Sequence, residues 1–260
     1  MRYQVLASDY DGTLAAHGQV DPAMAEQLRR LKATGRRLVL VTGREMNDLL
    51  LVFPDYHLFD YVVAENGGLI VDCASGEETP LAPPPDERFV QQLRQRGVHP
   101  LSVGKVILAT WEPHEREVLE AIKATGSELQ VIFNKGAVMV LPSGINKATG
   151  LQTLLRKLHL SLHNTVAVGD AENDLSLLQA AECAVAVANA LPSVKAQADW
   201  VTSMPQGAGV SQLIDQLIAD DLAGLEGKLT RHQLQLGDTG NEPFSISPYQ
   251  KGILVSGVTG

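Results

Sequence analysis

Short runs rich in valine, leucine and alanine recur along this chain, and each stops at a polar or glycine-containing cluster. YQVLAS gives way to DYDGT, RRLVLV to TGR, DYVVA to ENG, TVAV to GDAEND, and CAVAV to ANA. A strand with one face in water alternates apolar and polar residues, whereas one covered on both faces reads as a continuous apolar run. Helix-length amphipathic segments separate the runs. In DPAMAEQLRRLKATG, Asp21 stands as a cap, Pro22 in the first turn and Gly35 at the end. Buried strands alternating with helices define an α/β fold with a parallel sheet covered on both faces. Ligands of such sheets bind beyond the carboxyl ends of the strands, and every polar cluster just quoted falls at such an end.

The pattern is interrupted once. TPLAPPPDE, with Pro80, Pro83, Pro84 and Pro85, forms a stiff non-helical linker. Beyond it the sequence predicts a helix (DERFVQQLRQRG), a strand (KVILAT), a second helix (PHEREVLEAIKATG) and a hairpin (LQVIF, NKG, AVMVLP). None of these strands ends in a carboxylate cluster. The expected division is a core of residues 1–81 and 143–222, a small α/β insertion over 82–142, and a tail over 223–260. The tail closes with GILVSGVTG, in which Gly257-Val258-Thr259-Gly260 resembles the opening of a phosphate-binding P-loop. A C-terminal ATPase domain in a longer protein is therefore an expectation, with a glycine-rich tail end as the alternative.

The 260 residues carry a formal net charge of −9. That balance argues against a nucleic-acid groove or an anionic membrane surface as the main partner. Cys73 and Cys183 stand far apart without metal-ligand spacing, so no disulfide framework is indicated, and no apolar run approaches membrane-spanning length. The expected location is the cytoplasm.

Four clusters carry chemistry. Asp9 and Asp11 are two residues apart as a strand ends; if the extended geometry persists, both carboxylates point to one side. Like charges so close need a cation, a shared proton or a wide solvent opening. Thr42-Gly43-Arg44 places a hydroxyl and free backbone N–H groups at a strand-to-helix turn, which suits a phosphate. Lys147, in the first turn of INKATGLQTLLRKLHL, brings a cation for a phosphate or a carboxylate. Gly169-Asp170-Ala171-Glu172-Asn173-Asp174 adds further carboxylates. Oxygen donors without a His or Cys cluster favour Mg2+. Each cluster has a plain alternative taken singly: an acidic turn, a helix start, a surface lysine, a helix cap. Glu65, Asn66 and Arg44 are open as substrate contacts. Trp111, His114 and Arg116 read as surface or packing residues, and Asn189 as shaping the turn after its strand.

DYDGT, VTGR, INK and GDAEND, in this order, resemble the four motifs of the haloacid dehalogenase-like (HAD) phosphatases. The insertion, AENG at 64–67 and VANALPSVKAQADWVT at 187–202 resemble their Cof-type, or IIB, subclass, and the likeness covers about residues 1–220. It implies a three-layer Rossmann-like core with a C2B-type cap and Mg2+-dependent hydrolysis of a small phosphate monoester, a sugar phosphate or similar metabolite. By motif position, Asp9 would be the nucleophile that forms an aspartyl-phosphate. Asp11 would act as general acid and base, and Thr42 and Lys147 would complete the catalytic set. Gly43, Arg44 and Asn173 would contact substrate, and Asp9, Asp11 (through its carbonyl), Asp170 and Asp174 would hold the metal. A phosphomutase on the same scaffold, or a non-catalytic regulatory module fused to an ATPase, are the alternative readings.

Overall fold

The computed structural model describes residues 1–229, 234–240 and 242–246. The chain begins with β1 (Val5–Ser8), α1 (Pro22–Ala33), β2 (Arg37–Val41), α2 (Met46–Val52), β3 (Tyr61–Ala64), β4 (Leu69–Asp72) and β5 (Glu78–Pro80). An insertion follows: α3 (Glu87–Gln95), β6 (Ser102–Val103), β7 (Leu108–Trp111), α4 (Glu115–Thr125), β8 (Leu129–Asn134) and β9 (Ala137–Pro142). The chain then runs through α5 (Lys147–Lys157), β10 (Thr165–Gly169), α6 (Leu175–Ala180), β11 (Cys183–Ala186), α7 (Pro192–Lys195), β12 (Trp200–Val201) and α8 (Gln206–Asp220). An exposed hairpin of β13 (Leu234–Asp238) and β14 (Pro243–Ile246) comes last. The P-loop-like Gly257–Gly260 lies outside the described residues. Among these residues no helix is long and apolar enough to cross a membrane.

The larger sheet has the order β12-β11-β10-β1-β2-β3-β4-β5. From β12 to β3 every pairing is parallel, and all four residues of β1 are buried. Among the helices that cover it, α1 starts at the signal read in the sequence, with Asp21 Oδ1 accepting from Ala23 N. From β1 the chain steps one way to β2 and β3, and later returns to the other side of β1 through β10 and β11. Right-handed crossovers then place α1 and α6 on opposite faces, where α1 packs against α8 and α5 against α6. The order reverses at β1, which makes its carboxyl end the topological switch point.

The parallel sheet expected from the sequence is present, and two antiparallel strands extend it at one edge. β4 runs antiparallel to β3, and β5 antiparallel to β4. The β3–β4 connection spans only Glu65 to Gly68, too short for a crossover helix, so the chain must fold straight back.

The insertion forms its own antiparallel sheet in the order β6-β7-β9-β8. Strand alternation divides it into two faces. Val138 and Val140 of β9 and Leu108 of β7 pack on Phe89, Val90 and Leu93 of α3 and on Val118 and Ala121 of α4. Met139 and Leu141 turn to the opposite face, with Val106 and Ile107. That second face looks at the carboxyl end of the larger sheet, and Glu65 fastens it there. Both carboxylate oxygens of this buried residue accept backbone hydrogens of the insertion: Lys105 N at 3.0 Å, Val106 N at 2.7 Å and Ile107 N at 2.9 Å. Replacing Glu65 by alanine leaves buried N–H donors unsatisfied, so urea denaturation is expected to show a loss of roughly 2–4 kcal/mol. Amide exchange at Val106 and Ile107 should accelerate in the same variant. Unchanged exchange at those two amides would refute the role of this clamp.

Candidate active site

The site is assembled from strand ends. Asp9 follows β1 directly and continues its ladder, its N–H donating to Val168 O at 3.0 Å. The chain then turns, with the carbonyl of Tyr10 accepting from Thr13, Leu14 and Ala15. Gly12 sits in this turn at φ +90°, and a Cβ there would stand 2.4 Å from Asp170 Oδ2. Only glycine lets the loop lie against the strand that carries Asp170. Asn189, beyond β11, ties the same two segments together. Its amide donates to Gly12 O at 2.7 Å and lies 3.4 Å from Asp170 Oδ2, and its carbonyl accepts from Gln206 N.

Lys147 is brought in by close backbone packing. Glu65 and Asn66 both adopt left-handed backbone (φ 52°), and Gly67 follows at φ +104°. A Cβ on Gly67 would stand 2.0 Å from Asn146 O, and one on Gly150 would stand 2.6 Å from Gly67 Cα. The missing side chains allow the first turn of α5 to slide under the end of β3. Asn146 starts that helix with a reciprocal cap: Oδ1 accepts from Thr149 N and its own N–H reaches Thr149 Oγ1, both at 3.0 Å. Lys147 comes next and is wholly buried. It is no surface lysine: its ammonium donates to Asp9 Oδ1 at 2.5 Å and to Asp174 Oδ1 at 2.6 Å. The other oxygen of Asp174 accepts from the backbone of Asp170 and Ala171, each at 3.0 Å.

Asp9, Asp170 and Asp174 each present a carboxylate oxygen within 4.8 Å of the other two. Burial and then the Asp174 charge push the Asp9 carboxyl up to about 7, against the pull of Lys147. Burial likewise raises Asp170, with the Lys135 ammonium opposing it. Burial acts against the Lys147 ammonium too, but Asp174 and Asp9 outweigh it and hold its pKa above the usual lysine value. The donors suit a hard divalent ion, and a cation already stands beside them: Lys135 Nζ bridges Asp170 Oδ2 at 2.7 Å and the carbonyl of Asp11 at 3.2 Å. Asp174, with both oxygens engaged by protein, fits an outer position better than direct ligation.

Asp11 departs from the picture of two convergent carboxylates. The turn after Tyr10 leaves its side chain outside the buried cluster, held by Arg44 through hydrogen bonds of 2.7 and 2.8 Å. Arg44 is also paired with Asp48 and lies over the Tyr10 ring, so its guanidinium is already committed. Thr42 is fully buried, and its hydroxyl oxygen accepts from Arg44 N at 3.1 Å, leaving its O–H to donate elsewhere. Asn173 donates to Asn66 Oδ1 at 3.2 Å, and the Asn66 amide nitrogen is buried without a partner. Asp9, Asp11, Gly43, Arg44 and Asn173 share a cavity of about 470 Å3 with residues of the insertion, among them Trp111, Lys135 and Met139.

Lys135 escaped the reading of the sequence. The one local signal was its position in NKG, where a lysine occupies a hairpin turn that favours asparagine or glycine.

Removing the cation between two buried carboxylates is the severest single change available here. Lys147→Met is expected to cost about 3–5 kcal/mol in equilibrium denaturation. Adding Asp9→Asn to it should return part of that loss; strict additivity of the two changes would show that the pair is not coupled.

The profile of the family described as haloacid dehalogenase-like hydrolase matches residues 6–100 and 86–214. Phosphoglycolate phosphatase 2 of Saccharolobus solfataricus is 28% identical over 226 residues, covering 83% of this chain and 92% of that protein. The phosphoglycolate phosphatase of Haloarcula marismortui is 30% identical over 227 residues, covering 80% and 95%. Among solved structures, a haloacid dehalogenase-like hydrolase from Bacteroides thetaiotaomicron superposes with a TM-score of 0.70 at 22% identity, covering 83% of this chain and 99% of that one. A subclass IIB sugar phosphatase superposes with a TM-score of 0.67 at 22% identity, over 82% and 98%. These matches give no support to an ATPase fusion. The chain belongs to the haloacid dehalogenase-like hydrolases and is an enzyme of their phosphatase type.

Proposed function

We propose that the protein hydrolyses a small phosphate monoester by transferring the phosphoryl group to Asp9 and then to water. The observation that carries this reading is the setting of Asp9. It stands at the switch point of the sheet, with Oδ1 fixed by Lys147 and Oδ2 without a protein hydrogen bond among the described residues. An oriented, desolvated carboxylate beside a buried cation is a competent nucleophile toward phosphorus. Asp9 and Asp170, with the Asp11 carbonyl, would hold Mg2+, and Asp174 would steady the set. When bound, the ion supplies positive charge against the phosphate and the carboxylates. Thr42, the Gly43 backbone, Lys147 and Asn173 would hold the phosphoryl oxygens.

Asp11 takes the role of general acid, then of general base toward the attacking water. For that its carboxyl has to exchange Arg44 for the leaving oxygen, a rearrangement available to a partly exposed pair at a cavity wall. Residues 82–142 serve as a cap that closes over the leaving group and excludes bulk water, with residues 1–81 and 143–222 as the catalytic core. The names of the relatives support a small phosphorylated metabolite as substrate.

Phosphate release from a panel of monoesters in the presence of Mg2+ tests the assignment. Asp9→Asn and Asp11→Asn are each expected to lower kcat by at least about 10^3 while the proteins stay folded, and chelation should abolish turnover reversibly. Hydrolysis that persists in both variants would sink the reading.

A further inference from the structure

The cavity wall contributed by the insertion differs in character from the wall contributed by the core. Ile107, Ala109, Ala137 and Met139 make it largely apolar. The hydroxyl of Thr110 already donates to Pro100 O at 2.6 Å, and that of Ser102 donates to Glu45. Lys135 is the single charged residue among those that line this wall. Beside Lys135, Asn134 offers an amide whose Oδ1 has no partner among the described residues, and the rest of the wall would bury the hydroxyls of a polyhydroxylated leaving group against apolar side chains, which is unfavourable.

Lys135 stands at the tip of the β8–β9 hairpin in left-handed backbone (φ 49°), followed by Gly136 at φ 86°. Asn, Asp and Gly take the first of these positions readily; a lysine does so against its backbone preference, as side chains do where function requires them. Its ammonium reaches across to Asp170 and to the carbonyl of Asp11 from a stem that is half exposed. The lysine end of this pair is open to solvent while Asp170 is buried, and with two of its three donors engaged the ammonium has one left for a second anion. The core cations beside it are less available, since Arg44 serves Asp11 and Asp48, and Lys147 serves Asp9 and Asp174.

We infer that Lys135 is the specificity residue for a second anionic group on the substrate, so that the enzyme prefers a short phosphate monoester bearing a carboxylate close to the ester oxygen. This rests on the phosphatase reading above and narrows it: the phosphoryl end is held by the core, and the carboxylate of the leaving group pairs with the hairpin ammonium. A divalent ion on Asp170 would take over the neutralising role that Lys135 now plays and release it for the substrate.

The test compares two esters of similar size, phosphoglycolate and 2-hydroxyethyl phosphate, with the wild type, K135M and K135R in Mg2+. In K135M the kcat/KM for phosphoglycolate should fall about tenfold to a hundredfold, chiefly through KM. The value for 2-hydroxyethyl phosphate should change less than about threefold, as expected where no charged partner is lost. K135R should recover part of the selectivity. Titration calorimetry with 3-phosphonopropionate and propylphosphonate gives a readout that needs no turnover: the carboxylated compound binds the wild type more tightly, and K135M loses that preference. Equal losses on both esters, a preference that survives in K135M, or no preference in the wild type would overturn the assignment. Failure of the wild type to hydrolyse any ester counts against the phosphatase reading alone, because the calorimetric preference still decides the role of Lys135.

Discussion

The ammonium of Lys147, locked between the carboxylates of Asp9 and Asp174, is the contact around which the rest of the core is arranged. Three acidic groups brought together at the end of a buried sheet repel one another and lose solvation, and a fold that gathers them must supply charge from within. For Asp9 and Asp174 the chain does so with one side chain from a helix that arrives only after the whole insertion has been traversed, and Lys135 of the insertion meets Asp170. Gly67 and Gly150 surrender their side chains so that this helix can approach, and Asn146 fixes its first turn. The left-handed residues Glu65 and Asn66 belong to the same device, because they form the turn against which the helix start is pressed. Backbone strain, missing Cβ atoms and a buried ion pair are in this sense one arrangement.

Much of this was legible in the residues because its determinants are local. Continuous apolar runs fixed the buried strands, Asp21 and Pro22 marked a helix start where the structure has one, and the clusters after β1, β2 and β10 lie together at the carboxyl end of adjacent strands. What sequence could not give depends on direction or on long-range approach. LIVD reads like any other buried strand, and its reversal against β3 follows from the length of a turn rather than from its own residues. Asp9 and Asp11 were expected to converge from their spacing, but the chain leaves extended geometry at Tyr10, so one carboxylate goes inward to Lys147 and the other outward to Arg44. Lys135 lies 124 residues from Asp11, and no local pattern announces a contact across that distance.

On the proposed function, the two walls of the cavity divide their labour. The core supplies groups that are buried, paired and rigid, suited to holding charge in a fixed geometry while bonds to phosphorus change. The insertion supplies an apolar surface and one flexible ammonium on a hairpin tip, suited to discrimination among leaving groups.

The clamp made by Glu65 carries a mechanical consequence. The insertion is joined to the core by two covalent crossings, near Ala82 and near Ser143, and the three hydrogen bonds that Glu65 accepts from residues 105–107 add a buried attachment to the contacts of Ser102 with Glu45 and of Lys135 with Asp170. The base of the insertion is thus held by buried hydrogen bonds and its hairpin tip by the Lys135–Asp170 pair, so parting the two walls of the cavity requires that pair to break.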